Sequence, residues 1–532
     1  MADEKFVKTV QSTFSLYGLV LSRKLSISLA KELLNVEQDE REIWLTRIVE
    51  QVLTQNLSDP HVTVENLKSA IQEQIRPDTL KNTETVINVI DVFDVPKVKY
   101  DLSKKKYVLT TVISDVYPEA EYKSAIFKDR FNLLWYRTLR HELFTPPKLG
   151  EKKTDWIELV PIEYLLSESK KGTVYVMGLL TQLTEGQYYL EDTGGTIKVD
   201  LQGAISFYVW SVHNFQDGLI MEASIVIASG EYRDGILHVE DLGFPPAESS
   251  NNARSDFGNT NTFGGSHNLS LKYSEKLKSH EETNKDGMIV FVSDMWLDDL
   301  TTLHKFKTML EGYSEYPPIA FVLCGRFLSF PTNISSTQKL KEGLKDLTDI
   351  IMQYSNIKET SKFIFVPASD DVGAPKILPR SPLPKHLTEY FKKNIPGAIF
   401  ATNPCRIQYC TKEIVVFRED ILSKMCRNTL LFPQTGNIYD HYAKSIICQS
   451  HLTPLSLSII PTYWNYDHAL QLYPTPDLIV SADKYEAYET TYSNCHIINP
   501  GLFPKNDHSF KVYVPALDLI EHCAIPKDMD DV

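Results

Sequence analysis

The chain has 532 residues, 42% of them hydrophobic and 23% charged, and a formal net charge of −14 at pH 7. That length exceeds one ordinary core and calls for two to four domains of roughly 150 residues each, with the composition of a soluble globular protein. The acidity argues against a protein that grips nucleic acid tightly through many phosphates by its own field. No apolar run approaches the ~18 residues that would span a bilayer, so no membrane contact is expected. The start, MADEKFVKTV, carries acids and lacks an apolar signal core, so no secretion signal is expected. The seven cysteines contain no C-x-x-C pair, which fits a reducing compartment better than a disulfide framework or zinc ribbon. Cys405 and Cys410 read as two buried thiols.

Residues 1–75 are expected to form a helical domain. FVKTVQSTFSLYGL, LSISLAKELL, EIWLTRIVEQVLTQ and NLKSAIQEQI space apolar residues three and four apart. Residues 76–155 form a connector with one amphipathic helix, FKDRFNLLWYRTLRHEL, stopped by Pro146-Pro147. Lys104-Lys105-Lys106 reads as a solvated turn. His141-Glu142 lacks the second His of a zinc helix, so no metal is assigned there. Residues 156–245 carry short β-branched and aromatic runs separated by Glu185-Gly186, Asp192–Gly195 and Asp234-Gly235, the pattern of a small OB-type barrel. Tyr188, Tyr189, Phe207 and Tyr208 could stack on a single strand. Few Lys or Arg accompany them, so packing within the barrel or against a neighbour is the favoured reading. Residues 246–286, rich in Asn, Ser and Gly, are expected to be a polar linker or long mobile loop. From 287 to 532 strands such as MIVFV, IAFVLC and KFIFVP alternate with amphipathic helices, the signature of a layered α/β domain.

In such a sheet the functional groups sit just beyond the strand ends. A binuclear metallophosphoesterase places Asp and His ligands there, because two cations must share a carboxylate and activate a water against phosphorus. This chain keeps Asp294 after the first of these strands but has Trp296 where His is needed. Cys324-Gly325-Arg326 follows the second, with a cation in place of the bridging carboxylate. Pro367–Asp371 follows the third, and Ser481-Ala482-Asp483-Lys484 stands where Gly-His-x-His is needed. His451 is the one imidazole left in register. Asp294, Trp296, Arg326, Asp370, His451 and Asp483 therefore read as vestigial positions with no metal, no cofactor and no catalytic residue. The alternative is a rebuilt mononuclear site using Asp294, Asp370, Asp371, His451 and Asp483, which the charges of Arg326 and Lys484 oppose. The chain contains no G-x-x-x-x-G-K-[ST], G-x-S-x-G or H-E-x-x-H motif.

Several longer stretches carry a resemblance: RHELFTPP (Arg140–Pro147), GLLTQLTEGQYYLEDTGGTIKVDL (Gly178–Leu201), TNKDGMIVFVSDMWLDDL (Thr283–Leu300), TNPCRIQYCTKEIVVFREDI (Thr402–Ile421), HLTPLSL (His451–Leu457), PDLIVSADKY (Pro476–Tyr485) and INPGLFP (Ile498–Pro504). The chain resembles the B-subunits of replicative DNA polymerases, and within them the epsilon branch. The resemblance covers nearly all of it, the first 75 residues mainly in pattern. It implies a helical N-terminal domain, an OB barrel, and a calcineurin-like phosphoesterase α/β sandwich with its metal ligands lost. It also implies a nuclear, non-catalytic accessory subunit for DNA replication and repair. Its implied partners are the C-terminal region of the polymerase epsilon catalytic subunit, two histone-fold small subunits and the replicative helicase, with DNA reached mainly through the complex. The competing readings are a divergent metallophosphodiesterase and a standalone single-strand binder.

Overall fold

A computed structural model describes residues 4–33, 41–54, 60–64, 66–68, 70, 86–110, 116–147, 156–167, 172–203, 218–267 and 269–526. The N-terminal helices are α1 (Glu4–Leu16), α2 (Arg23–Leu33) and α3 (Arg41–Thr54). Their periodic apolar residues, among them Val10, Phe14, Leu29, Ile48 and Val52, form a core that, among the described residues, is drawn from Phe6 to Ala70. Of the fourth expected helix, Asn66–Lys68 and Ala70 are described and helical.

Strand β1 (Ile87–Ile90) is followed by the hairpin β2 (Lys97–Asp101) and β3 (Lys106–Thr110), whose turn holds Lys104 and Lys105 as expected. The amphipathic helix is α4 (Glu121–Leu139), and a short α5 (Ile162–Ser167) leads into the barrel. The barrel region runs β4 (Thr173–Thr184), β5 (Gln187–Glu191), β6 (Thr196–Asp200), β7 (Ile220–Met221), β8 (Ile225–Arg233) and β9 (Ile236–Gly243). Strands β4-β5-β6-β9-β8 close in that order. Closure needs a bulge at Ser229/Gly230, where a Cβ on Gly230 would lie 2.0 Å from the His238 carbonyl oxygen. Tyr188 packs on the barrel core, and Tyr189 is half-buried; Phe207 and Tyr208 lie outside the described residues.

The remainder contains α6 (Ser250–Ser255), α7 (Glu275–Thr283), β10 (Ile289–Ser293), α8 (Leu300–Gly312), β11 (Ala320–Cys324), α9 (Ser336–Ile351), α10 (Ser355–Thr360), β12 (Lys362–Val366), α11 (Lys385–Asn394) and β13 (Ala398–Phe400). Then come β14 (Cys405–Tyr409), β15 (Lys412–Arg418), α12 (Ile421–Asn428), β16 (Thr429–Leu431), α13 (Ile438–Cys448), β17 (Leu478–Ala482), β18 (Tyr488–Tyr492), β19 (Cys495–Asn499), β20 (Ser509–Val514) and β21 (Leu519–Ala524). Two six-stranded sheets result, ordered β13-β12-β11-β10-β20-β21 and β1-β14-β15-β17-β19-β18. Their inner faces meet in one core that takes Phe291, Val322 and Ile364 from the first and Ile407, Val416 and Val480 from the second. Helices α8, α9 and α11 cover the outer face of the first sheet, and α12 and α13 cover the second. The four layers are helix, sheet, sheet, helix, because central strands such as β10, β11 and β17 are buried on both faces.

Two expected segments differ. Residues 246–286 are not a free polar linker. Ser249 and Ser274 accept from Asn252 N and Leu277 N, capping α6 and α7. Ala253, Phe257, Phe263, Leu271 and Leu277 are buried, and Arg254 forms a buried ion pair with Glu413 on β15. The segment is a strap fixed across the α/β layers. The connector is likewise not separate, because β1 extends the second sheet by pairing antiparallel with β14. Composition does not register such pairings, which depend on partners hundreds of residues away.

Candidate functional site at the strand ends

Parallel strands β10, β11 and β12 end side by side, so the residues that follow them share one rim. Asp294, directly after β10, is fully buried and has φ +58°, a left-handed conformation Asp tolerates better than most residues. One carboxylate oxygen, Oδ2, accepts from Arg418 Nη2 at 2.8 Å. The other lies 3.5 Å from Arg326 Nε. Arg418 ends β15 in the opposite sheet and is itself buried. It also donates to the Gly325 and Ala482 carbonyl oxygens and reaches Asp420 at 3.0 Å. Burial opposes its charge, but Asp294 and Asp420 more than offset this and hold the guanidinium above its usual range. One arginine thus ties the ends of β10, β11, β15 and β17 together.

The other acidic positions are also committed. Asp371 accepts from Phe327 N and Ala368 N, each at 2.8 Å. Asp483 accepts from Leu422 N at 2.8 Å and Tyr485 N at 3.1 Å. Burial pushes each of these carboxyls up to about 6, against those backbone donors. Asp370 bonds Lys376, and Asp420 meets Lys484 at 2.5 Å. Burial pushes the Cys324 thiol up to about 12, which makes it an inert core group. Trp296 lies with Arg326 5.9 Å and Lys505 5.8 Å from its ring centroid.

His451 is held elsewhere, by a second set of buried groups. Asp467 takes two bonds from Arg130 of α4, at 2.9 and 2.5 Å, and lies 3.5 Å from His451 Nε2. The His451 Nδ1 accepts from Thr453 N at 3.0 Å. Burial, with Arg130 alongside, lowers the imidazole pKa, so the ring stays neutral. Two turns further along α4, Arg137 donates to the Ile447 and Cys448 carbonyl oxygens at the end of α13, a guanidinium on a helix C-terminus. These contacts dock α4 on the α/β layers.

The rim therefore brings Asp294, Arg326, Asp370, Asp371, Asp483 and Lys484 into one neighbourhood and leaves His451 to a docking contact. Among the described residues no group of three His, Cys, Asp or Glu side chains is placed to hold a metal ion. The residue that sequence reasoning missed is Arg418; its only signal was a charged residue closing the apolar strand EIVVF. Chemically, Asp294 stands as an ion pair between two guanidiniums, bonded to Arg418 and 3.5 Å from Arg326.

Residues 289–490 match the family of DNA polymerase alpha/epsilon B-subunits. Residues 120–246 match the OB-fold domain of DNA polymerase epsilon subunit 2-like proteins, and residues 2–74 match the DNA polymerases epsilon N terminal family. The chain is 43% identical to the DNA polymerase epsilon subunit 2 of Homo sapiens, covering 98% of this chain and 99% of that one. Against the Drosophila melanogaster subunit 2 the identity is 40%, covering 98% of each. Against the DNA polymerase epsilon B-subunit of Arabidopsis thaliana it is 35%, covering 89% of this chain and 91% of the other. An archaeal phosphodiesterase structure overlaps 44% of this chain at 10% identity with a TM-score of 0.24, too low to bear on the site. With relatives this similar from end to end, and its barrel and N-terminal helices each matched separately, the chain belongs to the DNA polymerase epsilon subunit 2 family.

Proposed function

We propose that this chain is a non-catalytic accessory subunit of a nuclear DNA polymerase epsilon complex, serving as a scaffold in chromosomal replication and repair. The observation that carries this reading is the occupation of Asp294 by Arg418 and Arg326. On this reading, the four-layer sandwich is a phosphoesterase-type fold whose metal ligands have been replaced. Two cations now stand where two metal ions would need carboxylates, so a divalent ion meets repulsion rather than a ligand set. What such a rigid body offers instead is surface. Its partners are then the C-terminal region of the catalytic subunit, two histone-fold subunits and the replicative helicase, with DNA engaged mainly through the assembly.

The test has two parts. The tagged chain, isolated from nuclear extract, should recover a large polymerase subunit and two small histone-fold chains in equal amount. The purified chain should show no manganese-dependent phosphodiester hydrolysis, and the Arg326→Asp variant should not gain any, because the remaining ligands are absent. Turnover by either protein overturns the non-catalytic reading; recovery of the chain alone overturns the scaffold.

A further inference from the structure

Parallel strands β15, β17 and β19 start side by side at Lys412, Leu478 and Cys495, at the end of the sandwich opposite Asp294. The turn between β20 and β21 of the first sheet reaches them there. Asp518, in that turn, has φ +51°, and its carboxylate meets three donors. Tyr513 Oη of β20 donates to Oδ1 at 2.7 Å, and Lys412 Nζ of β15 does so at 2.9 Å. His496 Nε2 of β19 lies 3.2 Å from Oδ2. On the other side of the ring, Thr491 Oγ1 of β18 lies 3.0 Å from His496 Nδ1. Leu517, Asp518 and Leu519 are exposed, so polar contacts of Asp518 rather than burial hold the tip of the turn. The other carboxylates nearby are matched: Glu489 of β18 lies 3.2 Å from Lys511 of β20, and Asp477, before β17, lies 2.6 Å from Lys272 of the strap.

We propose that His496 and Asp518 form a proton-sensitive clamp, which fixes the β20–β21 turn to the second sheet more tightly as the pH falls. Its other members keep their charge state around neutral pH. Burial raises the Tyr513 hydroxyl, which stays a donor, and His496, then Tyr513 and Lys412, hold the Asp518 carboxyl well below the usual carboxylate range. His496 is the group that changes. Its bond to Asp518 raises the imidazole pKa, burial opposes this, and Glu489 raises it while Lys412 lowers it. A neutral His496 still donates from Nε2, with Thr491 donating to Nδ1. Protonation places a full positive charge against the carboxylate, and Thr491 then accepts from Nδ1. Because the folded pKa is raised, the added stability is complete below the ordinary value of about 6.5 and is lost as the pH rises through the raised one. His496 and Asp518 are 21% and 47% exposed, so the pair adds little to global stability and acts locally, on the turn.

The experiment is amide hydrogen exchange of the full chain, corrected for the intrinsic pH dependence of exchange and read at Leu517 and Asp518. Their N–H groups close the turn on the Val514 and Pro515 carbonyl oxygens. Protection there should fall several-fold between about pH 6 and about pH 8.5 in the natural chain. In His496→Gln, which keeps a donor but cannot take up the charge, protection should not vary over that range. Asp518→Asn, whose side chain tolerates the positive φ, should give lower protection that is equally flat. His304→Gln, an exposed change on α8, should leave the fall in place. In NMR of chain labelled at histidine, the imidazole signal missing from His496→Gln should titrate above the ordinary value and move down towards it in Asp518→Asn. The inference is overturned if protection in the natural chain is flat, if His496→Gln shows the same fall, or if Asp518→Asn leaves the imidazole titration where it was.

Discussion

Arg418 and Asp294 are both shut away from solvent, 2% and 0% exposed, so removing either charge alone leaves the other buried with one partner, Arg326 for Asp294 and Asp420 for Arg418. Breaking a buried pair on one side costs about 3–5 kcal/mol, whereas replacing both partners together is often close to neutral. Arg418→Met should lower the stability of the α/β layers by about 3–5 kcal/mol, read as a shifted midpoint in urea denaturation. Asp294→Asn in the same chain should return part of that loss, because the buried carboxylate left with Arg326 alone is gone while the side chain still tolerates a positive φ. A double variant no more stable than Arg418→Met would mean that the guanidinium acts through its carbonyl contacts alone. Asp294, Trp296 and Arg326 are legible in the sequence because each follows an apolar strand at a fixed distance. Arg418 is not, since it reaches the site from the other sheet, 124 positions away along the chain. His451 offers the sequence only its residue type and register, and neither reports a helix like α4 that brings its own arginine to bury against Asp467.

At the scale of elements, the strap between the barrel and the sandwich shows how polar composition misleads. Its Asn and Gly residues do not all face water. The Asn261 side chain accepts from Phe263 N and Gly264 N at 2.9 and 3.2 Å and donates to the Gly264 and His267 carbonyl oxygens, each at 2.8 Å. A polar residue that satisfies the backbone of a tight loop looks, in a sequence, the same as one that is solvated. The strands and long helices are legible for the opposite reason: their period is set by burial on one face or both, and that pattern survives in one dimension. The Arg254–Glu413 pair locks the strap to β15, at 5% and 2% side-chain exposure. Limited trypsin digestion of the natural chain should therefore spare Arg254 and Lys272 at early times. In Glu413→Gln, Arg254 loses its carboxylate and keeps its burial cost, so the strap should loosen and cleavage at Arg254 should move to the earliest products. Early cleavage there in the natural chain would return the segment to a linker.

The whole molecule divides at a place that the expected domain boundaries only partly mark. The N-terminal helices keep a core of their own. The barrel, the connector and the sandwich do not, because their cores are shared. Ile90, Leu219, Met221 and Phe263 are buried among α12 and α13, Cys448 of α13 closes the barrel core, and β7 pairs with β16. Cutting the chain at 287 would strip those four apolar side chains from the sandwich, at about 1.5–3 kcal/mol each. That is roughly 6–12 kcal/mol, the size of a whole domain's stability. Residues 76–532 should consequently unfold at the same urea midpoint as the main transition of the full chain, followed by tryptophan fluorescence. Residues 287–532 expressed alone should show no cooperative transition at that midpoint. If they did, the shared cores would be surface contacts between independent domains, and the molecule would be a string of modules. A fused barrel and sandwich with a separable helical domain is the arrangement a scaffold needs: a broad rigid surface for one large partner, and a second domain free to engage another.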